Sequence, residues 1–113
     1  MSAIKAGGAR GASRNEARHI RELCHALLLL DSPDSCRRFL TDLCTPGELT
    51  ALADRWAVAR QLERGVAYRK IHDKTGVSTA TVTRVARSLE RGEGGYRAVL
   101  DRLNAAKDKD VDL

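Results

Sequence analysis

At 113 residues and a net charge of +5, the chain has room for one domain, and several long apolar helices would need an oligomer to cover them. Aromatic residues make up only 4% of it and apolar residues cluster rather than alternate, which favours helices over a sheet. Three cysteines without Cys-x-x-Cys spacing indicate neither a disulfide framework nor a zinc site and read as buried reduced thiols; no apolar run approaches a membrane span and Met1 is followed by no signal-peptide core, so a cytoplasmic protein is expected.

Residues 1–13 are small and basic, with Lys5 and Arg10 followed by Arg14, and are expected to form a flexible arm. A solubilising tail is the preferred reading of this arm over one that reaches phosphates or a minor groove. Ser13 with Glu16 three residues on predicts a capping box and a helix to about Leu30. Its stripe is Ile20, Leu23, Leu27 and Leu30, and the apolar run from Ala26 to Leu30 calls for enclosure, most simply by another subunit. Ser32 and Pro33 then predict the cap and first residue of a short helix through Phe39, Leu40 and Leu43.

Thr45-Pro-Gly-Glu48 predicts a second capping box and a long helix ending at Gly65. Leu49, Leu52, Ala53, Trp56 and Ala59 or Arg60 track one face of it, Val58 and Leu62 widen the apolar surface, and Trp56 is expected at the centre of the core. After the segment from 68 to 90, Arg91-Gly-Glu-Gly-Gly95 predicts a break. A last helix over Tyr96 to Ala106 has Val99, Leu100 and Leu103 inward, and residues 107–113 are expected to fray. The domain so defined runs over residues 14–106.

The segment from Tyr68 to Glu90 carries the functional signal. Gly76 suits a turn between two helices because it tolerates positive φ, and Ser78 suits the cap of the second helix. Val82, Val85, Ala86 and Leu89 fall on one face at spacings of three and four, with Ile71 and Val77 closing over them. That leaves Thr79, Ala80, Thr83, Arg84 and Arg87 outward and Thr81 on the border. Between residues 66 and 92, six cations oppose two carboxylates, so positive charge is concentrated where a slim helix start could enter a major groove. A basic hairpin that is merely solvated is the alternative, weaker because glycine, cap and apolar offsets occur together.

No enzyme is indicated, for the chain has no His-Glu-x-x-His, phosphate-cradling glycine loop, paired-carboxylate cleft or nucleophile elbow. Catalytic residues and cofactors are therefore expected to be none. His19 and His25 fall on nearly opposite sides of one helix and make a poor metal pair. Tyr68 and Tyr96 are too isolated to form a stacking platform for single strands.

The Thr45-Pro46 helix start, Arg55 within the long helix, Arg64-Gly65 at its end and the run Thr79-Ala-Thr-Val-Thr-Arg84 with Ser88-Leu89 resemble the Trp repressor superfamily, and within it the YerC/YecD-type branch. The resemblance covers about Arg14 to Leu103 and is most specific from Cys44 to Leu89. It implies an all-α, six-helix fold, an intertwined homodimer and one helix-turn-helix head per subunit. Two recognition helices about 34 Å apart would read a pseudo-palindrome in double-stranded DNA. The implied contacts are Arg69, Lys70, His72, Ser78, Thr79, Ala80, Thr81, Thr83, Arg84 and Arg87, with Arg69 on phosphate or a base edge and His72 facing the duplex or simply satisfied at the surface.

In that family a co-repressor amino acid lies between two arginines matching Arg55 and Arg84, with Thr45 and Ser88 nearby. The repressor has glycine where this chain has Val85, whose branched side chain would occupy the space of the indole ring, and the larger Trp56 crowds the same region. A regulator that does not respond to tryptophan is the expectation, and a smaller carboxylate-bearing effector stays open. The preferred readings are an ion pair to Asp54 or Glu48 for Arg55 and a phosphate contact for Arg84. The alternative function is a protein-interaction module whose basic head docks an acidic partner.

Overall fold

The structure, a computed structural model, describes residues 13–109; the expectations for the arm before Ser13 and for residues 110–113 lie outside the described residues. These residues form six helices and no strand: α1 (Ser13–Leu27), α2 (Pro33–Leu43), α3 (Pro46–Glu63), α4 (Tyr68–Thr75), α5 (Thr79–Arg91) and α6 (Gly95–Lys109). The chain divides between Thr45 and Pro46 into two compact units.

In the first unit, Ser13 is the first residue of α1 rather than a residue ahead of it, and the helix stops at Leu27, a turn short of the expected Leu30. The backbone tightens there: the Leu29 N–H bonds the Ala26 carbonyl at 3.0 Å and the Leu30 N–H the Leu27 carbonyl at 3.2 Å. Pro33 holds the residue before it out of the helical region, and Ser32 is extended at φ −153°, ψ 156°. Ser32 caps α2 as expected, accepting the Ser35 N–H at 3.1 Å while Ser35 Oγ accepts the Ser32 N–H at 3.2 Å.

No described residue of this unit is buried, and Leu28 and Leu29 are 80% and 82% exposed. The three cysteines are free, but they are not buried as expected: Cys24 is exposed, and Cys36 and Cys44 are half-buried.

The core lies in the second unit. Val58 and Ala59 of α3, Ile71 of α4, Val77 of the following turn and Val82 and Val85 of α5 form one buried cluster, with Trp56, Leu62, Val66, Leu89 and Tyr96 packed around it. Trp56 is therefore marginal to the core rather than central. The cluster draws on α3 only from Trp56 onward, so the expected stripe through Leu52 and Ala53 runs past it and both residues are exposed. On α6, Leu100 is buried and Leu103 half-buried, but Val99, one position round the helix, is 53% exposed and not inward.

Gly65 ends α3 as expected. It adopts φ +81°, its N–H bonds the Leu62 carbonyl at 2.9 Å and the Val66 N–H bonds the Gln61 carbonyl at 3.1 Å, the paired pattern of a Schellman motif. The last turn of α3 also anchors α6. Glu63 accepts a hydrogen bond from Asn104 Nδ2 at 2.8 Å and faces Arg97 at 3.8 Å. Helix α6 continues to Lys109, beyond the expected Ala106.

Candidate nucleic-acid interface

Gly76 turns α4 into α5. It sits at φ +78°, where a β-carbon would be strained although nothing lies within 4 Å to obstruct one, and its N–H bonds the His72 carbonyl at 2.8 Å. Ser78, extended at φ −61° and ψ 150°, caps α5. Its hydroxyl accepts the Thr81 N–H at 3.2 Å and donates to Thr81 Oγ1 at 3.1 Å. The same pair of bonds draws the Thr81 hydroxyl onto the cap, and Thr81 is half-buried.

The inner faces hold this pair of helices on α3. Ile71, Val77, Val82, Val85 and Ala86 are buried and Leu89 is half-buried, as the apolar spacing predicts. The opposite surface carries Arg69, Lys70 and His72 on α4, and Thr79, Ala80, Thr83, Arg84 and Arg87 on α5, with Ser78 at the junction; all are exposed. Among the described residues no carboxylate pairs with Arg69, Lys70, Arg84 or Arg87. The face thus combines short side chains at the start of α5 with unneutralised guanidinium groups further along, an arrangement able to bind phosphates beside a groove.

The residues matched to the co-repressor pocket are dispersed in environment. Val85 is 1% exposed within the core cluster, Arg55 is half-buried, and Thr45, Arg84 and Ser88 are exposed. Among the described residues Arg55 makes no ion pair with Asp54 or Glu48, so that expectation is not met. Two clefts of about 410 and 230 Å³ open elsewhere, the larger lined chiefly by Leu62, Val66, Tyr68, Ala86 and Leu89. Neither lining includes Arg55, Arg84, Val85 or Ser88.

The side-chain bonds that two residues of α4 make at the turn were not read from the sequence. Thr75 Oγ1 donates to the Ile71 carbonyl at 2.6 Å and accepts the Val77 N–H at 3.1 Å. His72 Nδ1 lies 2.7 Å from the Val77 carbonyl oxygen. A threonine one residue before a helix-ending glycine is the signal for the first, because its hydroxyl can bond back one turn. The histidine contact has no such signature. Among the described residues no group of His, Cys, Asp and Glu is placed to hold a metal ion, and no helix is long and apolar enough to cross a membrane.

A family model described as Trp repressor protein matches residues 18–104. The uncharacterized YerC protein of Bacillus subtilis (strain 168) is 43% identical over 86 residues, which cover 76% of this chain and 83% of that protein. Among solved structures, a Staphylococcus aureus candidate Trp repressor superposes with a TM-score of 0.75 at 38% identity, over 82% of this chain and 93% of its own. A TrpR-like protein of Eubacterium eligens ATCC 27750 gives 0.73 at 40% identity, over 77% and 90% of the respective chains.

Proposed function

We propose that this chain, which belongs to the Trp repressor protein family, is a cytoplasmic DNA-binding transcriptional regulator that acts as a homodimer and reads a pseudo-palindromic operator with α5 in the major groove. The observation that carries the reading is the exposed outer face of α4 and α5, where Arg69, Lys70, Arg84 and Arg87 stand without carboxylate partners among the described residues, around the short side chains Thr79, Ala80 and Thr83. Long-range attraction to phosphates supplies affinity, and the threonine methyls and hydroxyls supply contacts to base edges. Tryptophan is not the effector in this reading, since Val85 fills the position that must be vacant for an indole ring.

Selection of bound sites from random duplex DNA, carried out at two salt concentrations, tests the proposal. The expected product is a two-fold symmetric site whose affinity falls by roughly 10³ to 10⁵ between 50 and 200 mM salt, as six to ten phosphate contacts require. An asymmetric or salt-insensitive product overturns it.

A further inference from the structure

We propose that His72 is a positioning residue for the recognition helix, acting through its Nδ1–H on the Val77 carbonyl rather than through contact with DNA.

The Val77 carbonyl oxygen can only accept, so at 2.7 Å the proton of this bond resides on Nδ1. That fixes the tautomer of the neutral ring and leaves Nε2 as an acceptor; because a charged ring also carries the Nδ1 proton, the bond persists in either state. His72 grips the turn a second time through its backbone, whose carbonyl accepts the Gly76 N–H at 2.8 Å.

Val77 is held from three directions. Its carbonyl takes the His72 proton, its N–H bonds the Thr75 hydroxyl, and its side chain is buried in the core. Both polar groups of this peptide segment are thus satisfied by side chains of α4, and the next residue, Ser78, is the cap from which α5 starts. The point of origin of α5 is set by α4, and His72 supplies one of the two side-chain bonds that set it. Losing the bond frees the turn but removes no phosphate contact. It therefore lowers discrimination between sequences more than overall attraction to DNA.

The experiment uses the full chain and three variants, and its DNA arm rests on the proposed function. Asparagine places an amide N–H near the position of Nδ1, whereas glutamine places one nearer that of Nε2. In the wild type, long-range nitrogen–proton correlation spectra of the His72 ring are expected to show the Nδ1–H form. Amide exchange at Val77, Thr81 and Val82, whose N–H groups bond the Thr75 hydroxyl, the Ser78 hydroxyl and the Ser78 carbonyl, is expected to quicken about fivefold in His72→Ala and His72→Gln and to return towards wild type in His72→Asn. Affinity for the selected site should follow the same order, falling about fivefold in the first two variants, with non-specific affinity and the salt slope unchanged.

An Nε2–H ring, unaltered exchange in His72→Ala, or rescue by Gln in place of Asn overturns the proposal. A salt slope reduced by about 1 also overturns it, because it marks a direct phosphate contact. If the ring and exchange results hold but no duplex site is bound by the wild type, it is the proposed function that fails, and the placement of the turn by His72 stands.

Discussion

Glu63 and Asn104 meet at 2.8 Å across 41 residues of sequence, joining the end of α3 to α6. Arg97 lies on the same carboxylate at 3.8 Å and on Asp101 at 3.4 Å. Since the ion pairs are partly exposed, most of the stabilisation resides in the charge-assisted hydrogen bond. Glu63→Ala is expected to lower the unfolding free energy by about 1–2 kcal/mol, with Glu63→Gln retaining about half of it. Urea titration followed by circular dichroism provides the measurement, and equal losses in both variants would count against the hydrogen bond.

Ser78 separates stability from binding. Ser78→Ala removes the cap of α5 and should cost about 1 kcal/mol. Ser78→Asp keeps an acceptor for the Thr81 N–H and should unfold near the wild-type midpoint. Its carboxylate, however, stands on the face proposed to meet DNA, so fluorescence anisotropy should register at least about a tenfold loss of duplex affinity. A normal affinity in this variant would remove the start of α5 from the interface.

Arg69→Ala and Arg87→Ala test the charge distribution. Both residues are exposed, so folding should be unaffected to within about 0.5 kcal/mol. Each substitution that removes a phosphate contact should weaken binding to all sequences alike and reduce the slope of log affinity against log salt by about 1 per bound subunit. Unchanged affinity at moderate salt in Arg69→Ala would show that α4 stands clear of the duplex.

Val85→Gly tests the proposed exclusion of tryptophan. Removing a side chain that is 1% exposed and placing glycine inside a helix should together cost about 3 kcal/mol. If Val85 is what excludes the indole ring, isothermal calorimetry should detect tryptophan binding to the variant and none to the wild type. Silence from a folded variant would assign the exclusion to another group, Trp56 being the nearest alternative by sequence.

The two glycines flanking α5 should fail for different reasons. Gly76→Ala meets no atoms but must hold φ +78°, a strain of about 1–2 kcal/mol. Gly92 has ordinary φ, yet a β-carbon there would lie 2.5 Å from the Ser88 carbonyl oxygen. Gly92→Ala should therefore shift the last turn of α5, seen as amide chemical-shift changes at Ser88 to Arg91. A change confined to residue 92 would refute the clash.

The second unit was largely legible in sequence because its signals are local and agree with one another. Glycine at 65 and 76, Ser78 at the cap and apolar spacing through Val82, Val85 and Ala86 each specify the same two helices. The inward sense of Val82, Val85, Ala86 and Leu89 and the outward sense of Thr79, Ala80, Thr83, Arg84 and Arg87 followed from helical period, which left Thr81 on the border. Long-range packing was less readable. Leu52 and Val99 are as apolar as residues that are buried, and their exposure depends on which part of α3 and α6 the core cluster reaches. The end of α1 was misplaced because four consecutive leucines, Leu27 to Leu30, favour continuing the helix and no local signal marks its end at Leu27. His72 was recognisable as a surface residue of the head, but its bond to Val77 depends on the turn geometry that Gly76 creates.

The bare surface of α1 and α2 bears on how much of this protein is active at a given abundance. Two short helices that bury none of their described side chains have little to hold them in place, and Ile20, Leu28 and Leu29 stand in water at an energetic cost. If the proposed homodimer covers that surface, order and assembly become a single equilibrium, governed by mass action. The working population then rises more steeply than the number of chains made, and dilution alone would be enough to switch it off.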